Sequence, residues 1–252
     1  MRVAVTRPRE RTGRTCHLLR DAGFIAAQRS LLRFEVEAEA VTEAAQDLHS
    51  YDWVVLTSAE AVRSLAGARR AVGGWPAGLK AACVGPATAN AAARAGLQVA
   101  LVPSSYDGAS LAAELAAVLG AEMAAAGGVR GARCFWPRAE AANMGLAEAL
   151  RAAGAVVTDV VAYRTIPHGL GAARLKRDIE AGHMDAVLFF APSAVDAFVA
   201  LVGVAVPIVI GVIGRTTGER VRSYGLPVHV QPATHTIKAL VDALHGHMTN
   251  RE

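Results

Sequence analysis

The sequence is poor in cysteine, lysine and aromatic residues, and the scarcity of cysteine and of aromatic residues each argues against a class of protein. Its three cysteines, Cys16, Cys83 and Cys134, are odd in number and far apart, which suits neither a disulfide framework nor a zinc site. Aromatic residues make up only 5%, and no basic cluster is interleaved with them, so a nucleic-acid-binding role is disfavoured. The longest apolar run, Leu201 to Ile213, is too short to span a bilayer. Met1 to Thr6 lead into a predicted strand without a signal-peptide h-region, so we expect a cytoplasmic protein.

Motifs that bind metals or activate nucleophiles are also missing. The sequence has no His-Glu-x-x-His, no Cys-x-x-Cys and no nucleophile elbow. The glycine turns at Gly85 and Gly214 match neither a P-loop nor a Gly-x-Gly-x-x-Gly fingerprint, which argues against a phosphate-binding transferase. We therefore expect no metal and no cofactor.

Hydrophobic residues are plentiful. They form 53% of the 252 residues, which argues against disorder and permits one large domain or two small ones. Charged residues are 19%, and the net charge of +4 comes almost entirely from arginine. The planar guanidinium suits carboxylates and phosphates. The charge alone fits an anionic small ligand and the absence of a ligand equally well.

Two parts of the chain resemble each other. A short apolar run, a small polar turn and a helical pattern occur at residues 52–62 and again at 185–195. Downstream, the same residue types recur at equal distances from Gly85 and from Gly214. The matched pairs are Thr88 with Thr217, Gly96 with Gly225, Pro103 with Pro232, and Leu115 with Leu244. Gly96 is predicted to follow its helix in the left-handed conformation.

A weaker pair of strand–helix patterns precedes each of these segments. Residues 3–23 resemble residues 134–154, so the chain contains two copies, about 1–120 and 130–247, with an alanine- and glycine-rich junction at 121–131. Alternating strands and helices predict α/β layers with parallel sheets.

Six motifs, in this order and spacing, resemble the uroporphyrinogen-III synthase family. They are Val5–Pro8, Asp52–Ser58 with the helix after it, Val84–Ala89, Val161–Thr165, Phe189–Ser193, and Ile213–Thr217 continuing through Gly225–Val228. No one motif is specific, but together they cover nearly the whole chain.

The resemblance implies an α/β fold of two similar parallel-sheet domains joined by a two-stranded linker. Carried over, the first domain is residues 1–35 and 164–252, and the second is residues 36–163. The linker strands are then expected near Phe34–Val36 and Tyr163–Thr165. The sequence copies alone would have placed a boundary near residue 125.

The resemblance also implies an activity. The family cyclises hydroxymethylbilane, a linear tetrapyrrole with eight carboxylates, to uroporphyrinogen III. Ring D is inverted and water is lost, in haem and cobalamin biosynthesis. This is the work of a cyclising hydro-lyase that needs mainly orientation and help for the departing hydroxyl, without a cofactor. The expected partner is the linear tetrapyrrole, with no nucleic acid and no membrane, and we expect a monomer.

Strand-to-helix turns provide the predicted substrate contacts. Each exposes unpaired N–H groups at a helix N-terminus, which favours anions, and in parallel sheets such turns lie at one edge. The predicted substrate-binding residues are Arg7, Thr57, Ser58, Gly85, Thr88, Arg138, Ser193, Gly214, Thr216 and Thr217. Relatives carry a tyrosine at the position of Tyr163, which is predicted to be catalytic because a phenol could donate to the departing hydroxyl.

Each of these side chains also has a structural interpretation. These interpretations are packing for Tyr163, helix capping for Thr88 and Thr217, surface solvation for Arg7 and Arg138, and a capping box for Thr57 with Glu60. The sequence departs from the family pattern at Ala191, Arg215 and Gly218. These departures keep open a noncatalytic regulatory or ligand-binding protein with the same fold.

Overall fold

The structure, a computed structural model, describes residues 1–125, 131–204 and 207–249. Strands and helices alternate along these residues, as the sequence predicts. The strands are β1 (Arg2–Val5), β2 (Ile25–Gln28), β3 (Leu32–Val36), β4 (Trp53–Leu56), β5 (Lys80–Cys83), β6 (Gln98–Leu101), β7 (Arg133–Ala139), β8 (Val156–Pro167), β9 (Ala186–Phe189) and β10 (Val209–Val212). The helices are α1 (Gly13–Asp21), α2 (Ala38–Gln46), α3 (Ala59–Val72), α4 (Pro86–Arg94), α5 (Gly108–Ala125), α6 (Gly145–Ala152), α7 (Gly169–Glu180), α8 (Pro192–Leu201), α9 (Arg215–Ser223) and α10 (Ile237–Thr249), with short 3-10 helices at Arg9–Arg11 and Leu48–Ser50.

The chain divides into two compact units. The first unit contains residues 1–33 and 166–252, and the second contains residues 34–165. Each unit therefore combines parts of both sequence copies. The domain bounds drawn from the sequence stay a prediction about which segments fold as independent bodies.

The first unit is built on a four-stranded sheet. Its strand order is β10-β9-β1-β2, and all three pairings are parallel. The strands β9 and β10 are buried along their whole length. Helices α7, α8 and α9 bury apolar residues against one face, and α1 and α10 do so against the other. Continuous apolar strands are what a parallel sheet covered on both faces requires.

The second unit is built on a six-stranded sheet. Its order is β3-β8-β7-β4-β5-β6, with parallel pairings from β8 across to β6. Helices α2, α3 and α4 pack on one face and α5 and α6 on the other. The neighbouring strands β3 and β8 each contain a point where the chain passes from one unit to the other. They form the predicted two-stranded linker.

Helix α5 corrects the prediction that residues 121–131 form a junction. Residues 121–125, assigned from the sequence to a junction, continue this helix, because alanine is the best helix former. Residues 126–130 of that junction lie outside the described residues.

By length and composition alone, α5 is apolar enough to cross a membrane. Leu111, Leu115 and Leu119 are buried in the core of the second unit, so one side of α5 packs against its sheet, while 22% of this apolar stretch is buried.

The predicted helix ends at two matched glycines are confirmed. Gly96 follows α4 with φ +85, and Gly225 follows α9 with φ +72. This left-handed conformation is open to glycine because it has no Cβ. Both helices therefore end at the point that the repeat predicts.

Candidate active site

The predicted residues lie at the carboxyl edges of the two sheets. In a parallel sheet all strands end at the same edge, so the turns that follow them lie side by side. The second unit has Thr57 and Ser58 after β4, Gly85 and Thr88 after β5, Arg138 near the end of β7, and Tyr163 in β8. The first unit has Arg7 after β1, Ser193 after β9, and Gly214, Thr216 and Thr217 after β10.

Ser58 is the N-cap of α3. Its backbone is extended, and its Oγ accepts a hydrogen bond of 3.1 Å from the N–H of Ala61. The predicted capping box, with Thr57 as the N-cap and Glu60 as its partner, is therefore wrong, because the N-cap is Ser58 and the helix begins one residue later. Thr57 instead accepts a long hydrogen bond of 3.4 Å from the indole N–H of Trp136. The carboxylate of Glu60 accepts from Arg63 at 2.7 Å.

Tyr163 is joined directly to this cap. Its hydroxyl donates to the Oγ of Ser58 at 2.9 Å, and its ring stands edge-on to Phe34 with the centroids 5.4 Å apart. The residue is only 6% exposed. Two hydroxyls that share one hydrogen bond keep one hydrogen for another acceptor. Within the described residues that hydrogen has no acceptor, so the Ser58–Tyr163 pair can donate to a ligand.

Arg138 is held by a carboxylate. Its Nε lies 2.7 Å from Asp159, which also contacts Arg151 at 3.1 Å. The Arg138 side chain is 17% exposed, so its interpretation as a solvated surface residue is wrong. Burial by itself raises the pKa of Asp159, but the hydrogen bonds and charges of the two arginines outweigh it and hold that pKa below its usual value. A second anion at Arg138 would have to compete with Asp159.

Thr88 and Thr217 occupy equivalent places in the two units. Each is the third residue of its helix and almost fully buried, at 5% and 3% exposure. The N-caps of these helices are Gly85 and Gly214, so the helix-capping interpretation of the two threonines is wrong. In the described part of the chain neither hydroxyl makes a hydrogen bond, and neither oxygen is among the buried atoms left without a partner. The Cα–Cβ bonds of a helix tilt toward its N-terminus, so both side chains lean toward the first turn of their helices.

Arg7 is a cation without a carboxylate partner among residues 1–125, 131–204 and 207–249. It is half-buried, and its guanidinium carbon lies 4.9 Å from the ring centroid of Phe190. Burial lowers the pKa of this guanidinium, and the nearby charge of Arg11 lowers it further. Arginine stays charged at neutral pH, so an anion bound here would offset the free-energy cost of desolvating the guanidinium.

The helix N-termini of the first unit are open. The N-cap of α8 is Ala191, which has no side chain able to accept a hydrogen bond, and Ser193 is exposed in the first turn. The N-cap of α9 is Gly214, and Thr216 is exposed beside it. In α8, Pro192 has no N–H and the N–H of Ala194 is bonded to the carbonyl of Ala191, so the N–H of Ser193 is the open donor of its first three residues. Uncapped N–H groups favour anionic ligands.

A family model described as uroporphyrinogen-III synthase HemD matches residues 14–242. The chain belongs to the uroporphyrinogen-III synthase family. Membership implies a lyase of tetrapyrrole biosynthesis that takes a small tetrapyrrole substrate.

Relatives of this synthase family resemble the chain over almost its whole length. A protein of Methanothermobacter thermautotrophicus, provisionally named as a uroporphyrinogen-III synthase, is 30% identical over 254 residues and covers 96% of each chain. A mutant uroporphyrinogen III synthase of Thermus thermophilus has a similar fold, with TM-score 0.58, 20% identity and 99% coverage of both chains. Uroporphyrinogen-III synthetase of Helicobacter pylori gives TM-score 0.63 at 16% identity, covering 98% of this chain and 99% of its own. The two solved structures support the fold.

The departures from the synthase pattern are accommodated by their surroundings. Arg215 is the first residue of α9, its side chain is 80% exposed, and it pairs with Glu219 at 3.6 Å. A Cβ at Gly218 would lie 2.5 Å from the Oε1 of Gln231, so a larger residue would force Gln231 to move. At Ala191 the only loss is the side-chain cap of α8, as described above.

Sequence reasoning missed two side chains at these edges, Tyr106 and His235. A Cβ built on Gly85 would lie 3.2 Å from the Cβ of Tyr106, and one built on Gly214 would lie 2.9 Å from the Cδ2 of His235. Both glycines have extended backbones, which any residue can adopt. The constraint on a larger residue is therefore steric, because its Cβ would crowd these side chains. The signal that could have found them is the repeat, because each lies twenty-one residues after its glycine.

Proposed function

We propose that the chain is uroporphyrinogen-III synthase, a cyclising hydro-lyase that converts hydroxymethylbilane to uroporphyrinogen III. The observation that carries the proposal is the family match over residues 14–242. The carboxyl edges of the two sheets add hydroxyl donors, open helix N-termini and the half-buried guanidinium of Arg7, which suit a polyanionic substrate.

The reaction depends more on the orientation of the substrate than on its chemical activation by the protein. Loss of the terminal hydroxyl of hydroxymethylbilane leaves an electron-poor azafulvene, and direct closure of the ring gives isomer I without an enzyme. Isomer III requires attack at the substituted carbon of the last pyrrole, which forms a spiro intermediate that fragments and recloses with ring D inverted. A protein achieves this by holding the chain in one conformation and assisting the hydroxyl as it leaves.

The Ser58–Tyr163 pair supplies the assistance to the leaving group. Its spare hydrogen can be donated to the departing hydroxyl oxygen, and the bond between the two residues holds both oxygens in place. Ser58 is also fixed by the N–H of Ala61, so the donor is positioned by the start of α3. Fixed donors of this kind cost little reorganisation when charge develops.

The substrate carboxylates are bound mainly by backbone donors. The N-terminus of α9, after Gly214, offers uncapped N–H groups beside Thr217. At the start of α4, Pro86 has no N–H and that of Thr88 is bonded to the carbonyl of Gly85, so the N–H of Ala87 is the open donor of its first three residues.

In the first unit, further donors are Ser193 in α8, Thr216 in α9 and the guanidinium of Arg7. In the second unit, Thr57 lies just before the capped start of α3. Arg138 contributes least, since Asp159 already neutralises it.

The remaining features of the proposal concern the state of the protein. We propose that it acts without metal or cofactor, because hydroxyl donors and backbone N–H groups suffice for the roles assigned above. We also propose a cytoplasmic monomer whose only partner in catalysis is the linear tetrapyrrole.

The test is the identity of the product isomer. Freshly made hydroxymethylbilane is incubated with the protein, the products are oxidised, and isomers I and III are separated by chromatography. A synthase gives isomer III in excess over an enzyme-free blank. Isomer I alone would refute the proposal.

A noncatalytic ligand-binding protein is the second candidate, and the uncapped N-terminus of α8 is the observation that favours it. Ala191 leaves anion-binding N–H groups in place while removing a hydroxyl that the matching Ser58 supplies. Such a protein would bind tetrapyrroles tightly and leave the spontaneous isomer I as the only product. The same assay therefore separates the two candidates.

A further inference from the structure

Two rings occupy matching positions over the anion-binding helix starts of the two units. Tyr106 lies against Gly85 at the start of α4, and His235 lies against Gly214 at the start of α9. The contacts involve Cβ, Cγ and Cδ1 of the tyrosine, and Cδ2, Cγ and Nε2 of the histidine. The same arrangement has thus been built twice, with different ring chemistry.

Burial does not account for these rings. Tyr106 is 66% exposed, and His235 is exposed as well, although both follow a proline at the same distance in the repeat. An exposed aromatic ring gains little from contact with a glycine. A ring with an open face next to N–H donors is suited to a ligand that has both a flat π-system and an anionic group.

The helix starts beneath the rings also offer independent polar groups. Thr88 and Thr217 are more than nine-tenths buried as residues, but their hydroxyl oxygens are not among the buried unpartnered atoms of the described residues. A hydroxyl that makes no hydrogen bond within the protein can donate to a ligand carboxylate. Ring, uncapped N–H groups and hydroxyl therefore converge at each helix start.

We propose that Tyr106 and His235 are stacking platforms, each of which, within its own unit, binds a carboxylated pyrrole ring while the carboxylate side chain of that pyrrole binds the helix N-terminus below. This inference rests on the proposed function for the identity of the ligand. The ring face is the essential feature, since tyrosine and histidine share a flat π-system and differ in their polar groups. The two residues thereby help to select carboxylated pyrroles over other polyanions.

The test compares ring-deleting with ring-keeping variants. The variants are Tyr106→Ala, Tyr106→Phe, His235→Ala and His235→Phe, with Leu170→Ala as a control because Leu170 is 73% exposed on α7. Uroporphyrin III, the oxidised product, is titrated by absorbance and fluorescence. Each alanine variant should raise its Kd about 3- to 10-fold, the scale of one aromatic stacking contact. The phenylalanine variants and the control should stay within about twofold of the parent.

A second probe separates stacking from charge. Butanetetracarboxylate carries carboxylates but no ring, so its Kd, measured by displacement of uroporphyrin III, should be the same for the parent and the alanine variants. Alanine variants that bind uroporphyrin III like the parent would overturn the proposal, as would phenylalanine variants that lose as much affinity as the alanine ones. Circular dichroism confirms folding. The binding titration does not depend on turnover, so a parent that makes no isomer III would refute the proposed function and leave the platforms to be judged separately.

Discussion

At the scale of single residues, the bond between Tyr163 and Ser58 sets the expected effect of removing one hydroxyl. Tyr163→Phe keeps the ring edge-on to Phe34 and deletes a member of the donating pair. If the phenol donates to the departing hydroxyl while Ser58 donates to the phenol oxygen, the rate should fall about 10²- to 10⁴-fold, the range of general acid catalysis. The isomer ratio should not change, because inversion depends on substrate conformation. Initial rates corrected with an enzyme-free blank measure both, and a variant within about threefold of the parent would leave Tyr163 a packing residue.

Asp159 gives a pH dependence at the same scale. Its pKa is depressed in the folded protein by Arg138 and Arg151, so its stabilising contribution is complete above the unfolded pKa and is lost as the pH falls through the folded value. In urea unfolding, Asp159→Asn should be less stable than the parent by a constant amount above about pH 5, and the gap should close below about pH 4. A gap that stays constant into strong acid would show that the carboxylate charge is not what stabilises the fold.

The same residues show where sequence reasoning ends. Arg138 and Asp159 were not paired from the sequence because their contact depends on the register of β7 and β8, in which Trp136 lies opposite Asp159 and Arg138 opposite Val161. The cap at Ser58 was misplaced by one residue because Thr57 is also a preferred N-cap residue type. Residue types were predictable, whereas partners required the strand alignment.

At the scale of elements, the starts of α3 and α8 form a matched pair. Ser58 has φ −159 and ψ 155 and caps α3, while Ala191 has φ −158 and ψ 151 and cannot cap α8. Ser58→Ala should therefore cost about 1 kcal/mol in the free energy of unfolding, and Ala191→Ser should add about 0.5–1 kcal/mol. Ser193→Ala, beyond the cap, serves as the control in chemical denaturation. An Ala191→Ser variant no more stable than the parent would contradict the shared geometry.

The two buried threonines at positions 88 and 6 form a second matched pair. The hydroxyl of Thr6 donates to the carbonyl of Leu188 at 2.7 Å, whereas that of Thr88 has no partner in the described part of the chain. Thr6→Val should thus lower the free energy of unfolding by about 1–3 kcal/mol, and Thr88→Val should leave it nearly unchanged.

Turnover should respond to the same pair differently. Thr88→Val should reduce kcat/KM by about fivefold, equal to one neutral hydrogen bond of about 1 kcal/mol. Complete inactivity of a folded Thr88→Val variant would contradict the view that many backbone donors share the binding. Parental activity in that variant would contradict a role for Thr88 in binding.

Elements were the most predictable level of the structure. Strand, turn and helix followed each other as the apolar patterns indicated, and the glycines after α4 and α9 have the expected positive φ. The extent of α5 was not predicted, because an alanine- and glycine-rich stretch fits a linker as well as a helix. Tyr106 and His235 were overlooked because the repeat was judged by identical residue types, and these two share a position and a ring rather than a type.

At the scale of the whole molecule, composition and periodicity were insufficient to predict how the chain divides into compact units. The repeat divides the chain near residue 125, whereas each compact unit takes segments from both copies. Nothing in local pattern reports that β3 and β8 are neighbours, because their pairing joins residues far apart in the sequence. Resemblance to a family supplied that information, and it also supplied the reaction.

The central claim is that this chain alone directs ring closure to the inverted isomer. The most direct measurement is the initial rate of uroporphyrinogen III formation by protein dialysed against a chelator, with fresh hydroxymethylbilane and an enzyme-free blank. The account predicts isomer III as the main product, at a rate proportional to protein concentration and unchanged by the chelator. Isomer I at the rate of the blank, or isomer III only after a metal is restored, would contradict it.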